Sequence, residues 1–179
     1  KNQKLLDELK KLNEKLQKEE LFDKMDDLKQ KSKNQMKSLE QLVELTKKYY
    51  VEKKMEQIAD KLDKLGDKQE KLSENEKENN SENQEDINKE FDKIQKELDE
   101  LEKENQDLKN PLDLPKTDDQ EKSIEEDLKK ASDELKKDSK SGAQKKQKSA
   151  SKKMKQMGQG MQLDMQMEGM DQLEEDEAL

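Results

Sequence analysis

The amino-acid sequence predicts an all-α chain built from extended helical hairpin and coiled-coil segments, with no compact globular core. Composition is the first reason. Of the 179 residues 47% are charged and 26% hydrophobic, where globular domains average about 25% and about 45–50%. So little apolar surface fills a narrow seam, which needs two apolar positions in seven, and not a large core. Periodicity is the second reason, since apolar residues recur at steps of four and three along most of the chain. The third is the scarcity of breakers: the only two prolines are Pro111 and Pro115.

Residues 1–72 read as one long amphipathic helix. Its stripe runs Leu5, Leu9, Leu12, Leu16, then Leu21, Met25 and Leu28, and the irregular step between 16 and 21 marks a phase break. The stripe resumes at Met36, Leu39, Leu42/Val43 and Tyr49/Tyr50. A cleaner seam follows at Val51, Met55, Ile58, Leu62, Leu65 and Leu72, with Gln69 in one slot. Such a rod needs a partner helix along its length. Residues 73–84 hold no apolar side chain and form a polar break. Ser81 or Asn83 is the expected cap of the next helix.

Residues 85–109 carry the most regular heptads: Ile87, Phe91, Ile94, Leu98, Leu101, Asn105 and Leu108. Asn105 is expected either to set register by pairing across the seam or to lie in a frayed end. Residues 110–117 are a Pro-containing linker whose Leu112 and Leu114 can pin against a helix. Thr117 with Gln120 fits a capping box, opening a short helix over 118–139 along Ile124, Leu128, Ala131 and Leu135. Residues 140–179 form a Lys-rich, then Met-rich, helical or flexible tail, with Ala143, Gln147, Ala150, Met154, Met157 and Met161 again at helical spacing. Two long antiparallel helices followed by shorter ones, joined near 73–84 and 110–117, is the expected arrangement.

The chemistry-bearing residue types are scarce. His, Cys, Trp and Arg are absent, which removes the usual general base, the strong nucleophile and the bidentate anion clamp. Carboxylate pairs such as Asp118-Asp119 read as solvated faces, because an acid/base pair needs an apolar pocket to separate its pKa values. The expectation is a non-enzyme with no cofactor. Charge is blocked: residues 129–155 hold eleven Lys against Asp133, Glu134 and Asp138, residues 74–107 hold 14 acids against five Lys, and 164–177 hold seven acids and no Lys. Without Arg or interleaved aromatics the basic block is not expected to bind nucleic acid. It is expected to pair with acidic helices. The Met-rich stretch (Met154, Met157, Met161, Met165, Met167, Met170) is expected to present an adaptable partner-binding face, chiefly Met154, Met157, Met161 and Met165. A Cu(I) or anionic-membrane module is one alternative function; a disordered charged spacer is the other.

The run QKKQKSASKKMKQMGQGMQ (144–162), the acidic end MDQLEEDEAL (170–179) and the preceding NPLDLPKTDDQEKSIEEDLKKASDEL (110–135) resemble a Bacteroidota domain-of-unknown-function family, number four-one-seven-five. The resemblance covers mainly residues 110–179. It implies a large parent protein anchored in the inner membrane, with long helical regions facing the periplasm. The chain starts at Lys1 rather than Met and is expected to be an excerpt of such a parent. Any membrane contact is then expected through parts outside it. The expected partners are other helices, in the same chain, a homo-oligomer or a larger assembly.

Overall fold

The computed structural model describes residues 2–15 and 39–178; the expected phase break at 16–21 and the stripe positions Leu16, Leu21, Met25, Leu28 and Met36 lie outside the described residues. The protein is all-α. Its described helices are α1 (Asn2–Lys15), α2 (Leu39–Glu74), α3 (Ser81–Gln106), α4 (Asp118–Lys136) and α5 (Lys140–Ala178). None is long and apolar enough to cross a membrane. The chain divides into two compact units, residues 1–54 with 103–112, and residues 55–102 with 113–179.

In the first unit α1 lies beside the start of α2. Glu8 pairs with Lys47 at 3.0 Å, and the Lys15 ammonium sits 5.5 Å from the Tyr50 ring centre. Moving up α1 thus moves up α2, so the two run parallel. This corrects the reading of 1–72 as a single rod: along one continuous helix Glu8 and Lys47 would stand roughly 58 Å apart at 1.5 Å per residue. The physical reason is that an apolar stripe must be covered, and the chain supplies the cover itself. Leu9, Leu12, Val43, Tyr50 and Val51 are buried there.

Asn105 has a role the sequence did not suggest. Its side-chain amide donates to the Leu112 carbonyl (2.8 Å) and accepts from the Leu112 N–H (2.9 Å). It pairs with linker backbone instead of with another seam residue, and its helix end is pinned, not frayed. An amide side chain offers the same donor and acceptor as a peptide group, so it can stand in for a missing strand or helix neighbour. The Glu44 carboxylate adds a second clamp by accepting from the Lys109 N–H at 2.8 Å.

The second unit is an up-down-up-down four-helix bundle. Lys61 pairs with Glu97, and seven residues further along α2 Lys68 pairs with Glu90, seven residues back along α3. The two are therefore antiparallel. Asn88 to Ser132 and Gln95 to Glu121 tie α3 to an antiparallel α4. The buried Asp127 carboxylate accepts from Ser149 (2.6 Å) and Lys153 (2.7 Å), tying α4 to α5. Helix α5 closes the ring against α2, as described below. This packed core is more than the seam that composition led us to expect. It is filled partly by Ala59, Ala131, Ala143, Ala150, Gln69, Gln84 and Gln147, all fully buried, which a count of large apolar residues overlooks.

Local signals at the connections differ from expectation in two places. The α3 cap is Asn80, whose side-chain oxygen accepts from the Asn83 N–H at 2.9 Å, and not Ser81 or Asn83. Thr117 stands at the N-cap of α4 but its hydroxyl makes no cap hydrogen bond; it donates to the Glu121 carboxylate at 2.7 Å. The expected capping box with Gln120 is absent because Thr117 already has near-helical torsions, φ −117° and ψ −3°, which aim its hydroxyl away from the free N–H groups. Helix α4 ends in a Schellman turn, with Ser139 N–H to Glu134 carbonyl (2.9 Å) and Asp138 N–H to Leu135 carbonyl (3.1 Å).

Asp138 occupies the left-handed position of that turn at φ 58°. Any residue with a Cβ is disfavoured there, and glycine is not. Asp138→Gly is expected to stabilise the chain by about 0.5–1 kcal/mol, read as a higher midpoint in chemical denaturation with an unchanged m-value.

Candidate functional site

The residues expected to form seams are all buried where described. Val51 and Leu108 are buried in the first unit, and Met55, Ile58, Leu62, Leu65, Ile87, Phe91, Ile94, Leu98 and Leu101 in the second. Met154, Met157, Met161 and Met165 are buried too. They lie inside the bundle, so the face expected to meet an outside partner is occupied by the chain's own helices. Flexible thioethers suit that place, since they fill irregular space between packed helices.

The contact between α2 and α5 is set by small residues seven apart on each helix. The Gln144 amide donates to the Ser73 carbonyl (3.0 Å), and the Ser151 hydroxyl to the Gly66 carbonyl (2.7 Å). Gly158 then lies against Ala59, where an added Cβ would stand 2.7 Å from the Ala59 carbonyl oxygen. Successive heptads of α5 thus meet successive heptads of α2 in reverse order. At Gly66 an added Cβ would come within 3.0 Å of the Ser151 carbonyl oxygen. The backbones approach so closely at Gly66 and Gly158 that even a methyl group is crowded there, and the small residues Ala59, Ser73 and Ser151 lie along the same contact. Sequence reasoning followed the large apolar stripe and passed over these five. Their seven-residue spacing was the available signal.

At one end of this seam sits a buried amide cluster drawn from α2, α3, α5 and the α2–α3 turn. Gln69 and Gln84 exchange amide hydrogen bonds at 3.0 and 2.7 Å. Gln147 and Asn79 do the same at 2.9 and 2.7 Å. Gln147 also donates to the Gln84 side-chain oxygen at 2.7 Å, joining the pairs. Gln84 extends the chain to Asn88 (3.0 Å), and Asn88 to Ser132 on α4 (2.9 Å). Every helix of the bundle therefore has a hand in one network. Gln69, Gln84 and Gln147 are fully buried, and a buried amide is costly unless it is paired. Chemically the cluster is neutral and closed. It offers hydrogen-bonding specificity, not acid, base or nucleophile.

The basic block pairs within the chain, though with different acids from those expected. Lys153 meets Asp127, while Lys155 meets Asp67 (2.9 Å) and Glu70 (2.5 Å). These acids lie outside residues 74–107. The Glu70 and Asp67 carboxylates accept hydrogen bonds from the Lys155 ammonium and hold its pKa above that of free lysine. Among the described residues no group of three His, Cys, Asp or Glu side chains is placed to hold a metal ion. No protein-family model, curated protein or solved structure matches this chain.

Two expected outcomes follow from this geometry. Gln147→Leu strands both polar atoms of Asn79 and should cost about 2–3 kcal/mol, measured by urea denaturation; a loss below about 0.5 kcal/mol would mean the cluster contributes little. Lys155→Met keeps the stem over Gly66 and removes the charge, at a cost of about 1 kcal/mol near neutral pH. Because the folded pKa is raised, this contribution is fully present below the free-lysine value of about 10.4 and is lost as pH rises through the folded value. The stability gap between the two proteins should thus be flat from pH 7 to about 10 and narrow above it.

Proposed function

We propose that this chain is a structural and interaction segment of a larger cell-envelope protein, in which helices pair along Leu, Ile and Met seams to hold a defined spacing and register. The observation that carries this reading is the seam itself: among the described residues most large apolar side chains are buried between helices, and the glutamines buried in the second unit pair with other amides. Helices held by such pairs have one register, because a shift by one heptad would leave Gln69, Gln84 and Gln147 buried without partners. A scaffold or spacer requires that property, and a flexible tether does not. In the parent protein the helices would act as extended hairpin and coiled-coil elements.

Burial of Met154, Met157 and Met161 supports this reading over Cu(I) binding, since their thioethers are engaged in packing. The inner-membrane anchor and periplasmic location rest on the family resemblance of residues 110–179. On that resemblance the anchor belongs to parts of the parent protein outside this chain.

Hydrogen exchange on the whole chain tests the scaffold reading. Amides of residues 59–73, 84–101, 124–135 and 147–161 are expected to be the slowest and to exchange as a group, as members of one cooperative unit. Exchange at free-peptide rates across these segments, or a random-coil circular dichroism spectrum, would remove the reading. Location is tested separately: the parent protein should fractionate with inner membranes and be cleaved within this segment by protease added to spheroplasts.

A further inference from the structure

The chain has nine methionines and no cysteine, so thioethers are its only sulfur. Helix α5 uses them as no other helix of the bundle does. Every large apolar side chain it is seen to bury is a methionine (Met154, Met157, Met161 and Met165), whereas α3 and α4 bury Leu, Ile and Phe and no methionine. Exposure along this stripe rises toward the helix end, from 0% at Met154 through 1% at Met157 and Met161 to 7% at Met165. Met167, on the outer face, is 59% exposed. Leucine would fill a similar volume. What methionine adds is a sulfur that peroxide can oxidise.

The helix is also attached differently on the two sides of Lys155. Among the described residues, its side-chain hydrogen bonds and ion pairs come from Lys155 or from residues before it. Gln144 and Ser151 reach α2 backbone, Gln147 the amide cluster, Lys153 Asp127, and Lys155 Asp67 and Glu70. Amides, hydroxyls and ammonium–carboxylate pairs are inert to peroxide. Beyond Lys155 the attachment is packing, by Met157, Met161 and Met165 and by Gly158 against Ala59. At Gly160 an added Cβ would meet nothing within 4 Å. No close contact requires a glycine there, and it weakens the helix where the oxidisable part begins.

We propose that Met157, Met161 and Met165 are a peroxide modification site, whose S-oxidation frees α5 beyond Lys155 while its amide-anchored part stays in the bundle. The proposal rests on the fixed-register scaffold read above and supplies its regulation. A sulfur lone pair takes one oxygen of hydrogen peroxide: an S–O bond forms, the O–O bond breaks, sulfur gives up two electrons, and the other oxygen leaves as water with both protons. The sulfoxide is a polar acceptor, costly to bury without a donor. Its formation at Met165, the least covered of the three, loosens the helix end and opens Met161, then Met157. The facing stretch of α2 that is uncovered carries Met55, Ile58 and Ala59, all buried before oxidation.

The test is hydrogen exchange with peptide mass spectrometry on the whole chain, before and after about 10 mM hydrogen peroxide. Met167 should oxidise first and leave exchange unchanged. Met165, Met161 and Met157 should follow in that order, with Met154 last. Chains oxidised at those three should exchange the amides of 55–59 and 157–165 at least about tenfold faster, with 84–101, 124–135 and 147–154 still slow. Methionine sulfoxide reductases with a dithiol reductant should restore slow exchange. Met157→Leu, Met161→Leu and Met165→Leu combined should keep the slow exchange of the untreated chain and remove the response. Gly160→Ala should slow oxidation of Met161 and Met165 at least about threefold. Oxidation of the three sulfurs without faster exchange, or oxidation that stops at Met167, would overturn the switch and leave the scaffold reading standing. So would loss of all slow segments together, a triple variant that still responds, or a change that the reductases do not reverse. Fast exchange throughout the untreated chain would overturn both.

Discussion

A primary amide removed from water must find another polar group, and its donors and acceptor have fixed directions. The second unit depends on this constraint. Gln69 comes from α2, Gln84 from α3, Gln147 from α5 and Asn79 from the turn between the first two. Each of these elements could slide along its neighbours at little hydrophobic cost, since Leu, Ile and Met seams repeat every seven residues and resemble themselves after one heptad. The amides do not repeat. They meet in one alignment only, and every other alignment leaves several of them buried and unpaired. Apolar contact supplies the attraction between helices in this unit, and the amides choose among the registers that attraction allows.

Close approach makes this arrangement possible. A glutamine side chain reaches across a helix interface only if the backbones are near, and Gly66, Gly158, Ala59 and Ser151 allow that nearness between α2 and α5. The same nearness lets side-chain groups bond directly to backbone carbonyls of the facing helix, as Ser151 does at Gly66 and Gln144 at Ser73. Small residues and amides therefore belong to one device. Large side chains at the first would push the second apart, and apolar side chains at the second would leave the first without a reason to stay in register.

Sequence periodicity made much of this legible. Steps of four and three revealed the helices, and all the described seam residues are buried. What the pattern could not convey is which stripes face each other. An apolar stripe reports that it is covered and not by what, so residues 2–15 read as the start of a rod when they lie beside α2. The Met-rich stripe similarly read as a surface for an outside partner when α5 turns it inward. The amide cluster was half visible. Gln69 and Gln147 fell on their stripes by spacing, but Asn79 lies in a turn and Gln84 precedes the heptads of α3, and only tertiary structure brings the four together. The local caps were misassigned for a different reason. Asn80, Ser81 and Asn83 all have suitable side chains, and the choice among them depends on where the chain leaves the Asn75 turn, whose side chain binds the Lys77 and Glu78 N–H groups.

Charge follows a logic separate from register. Exposed ion pairs contribute little each, and most of those on this bundle, such as Lys61–Glu97, are of that kind. Asp127 differs because its carboxylate is buried and held by both Ser149 and Lys153. One lysine of the basic block thus answers a desolvated charge, and Lys155 answers two carboxylates of α2. Those uses account for the inward edge of α5. The lysines on its outward edge answer nothing in the bundle, although ordered charge of one sign along a helix raises its energy through mutual repulsion.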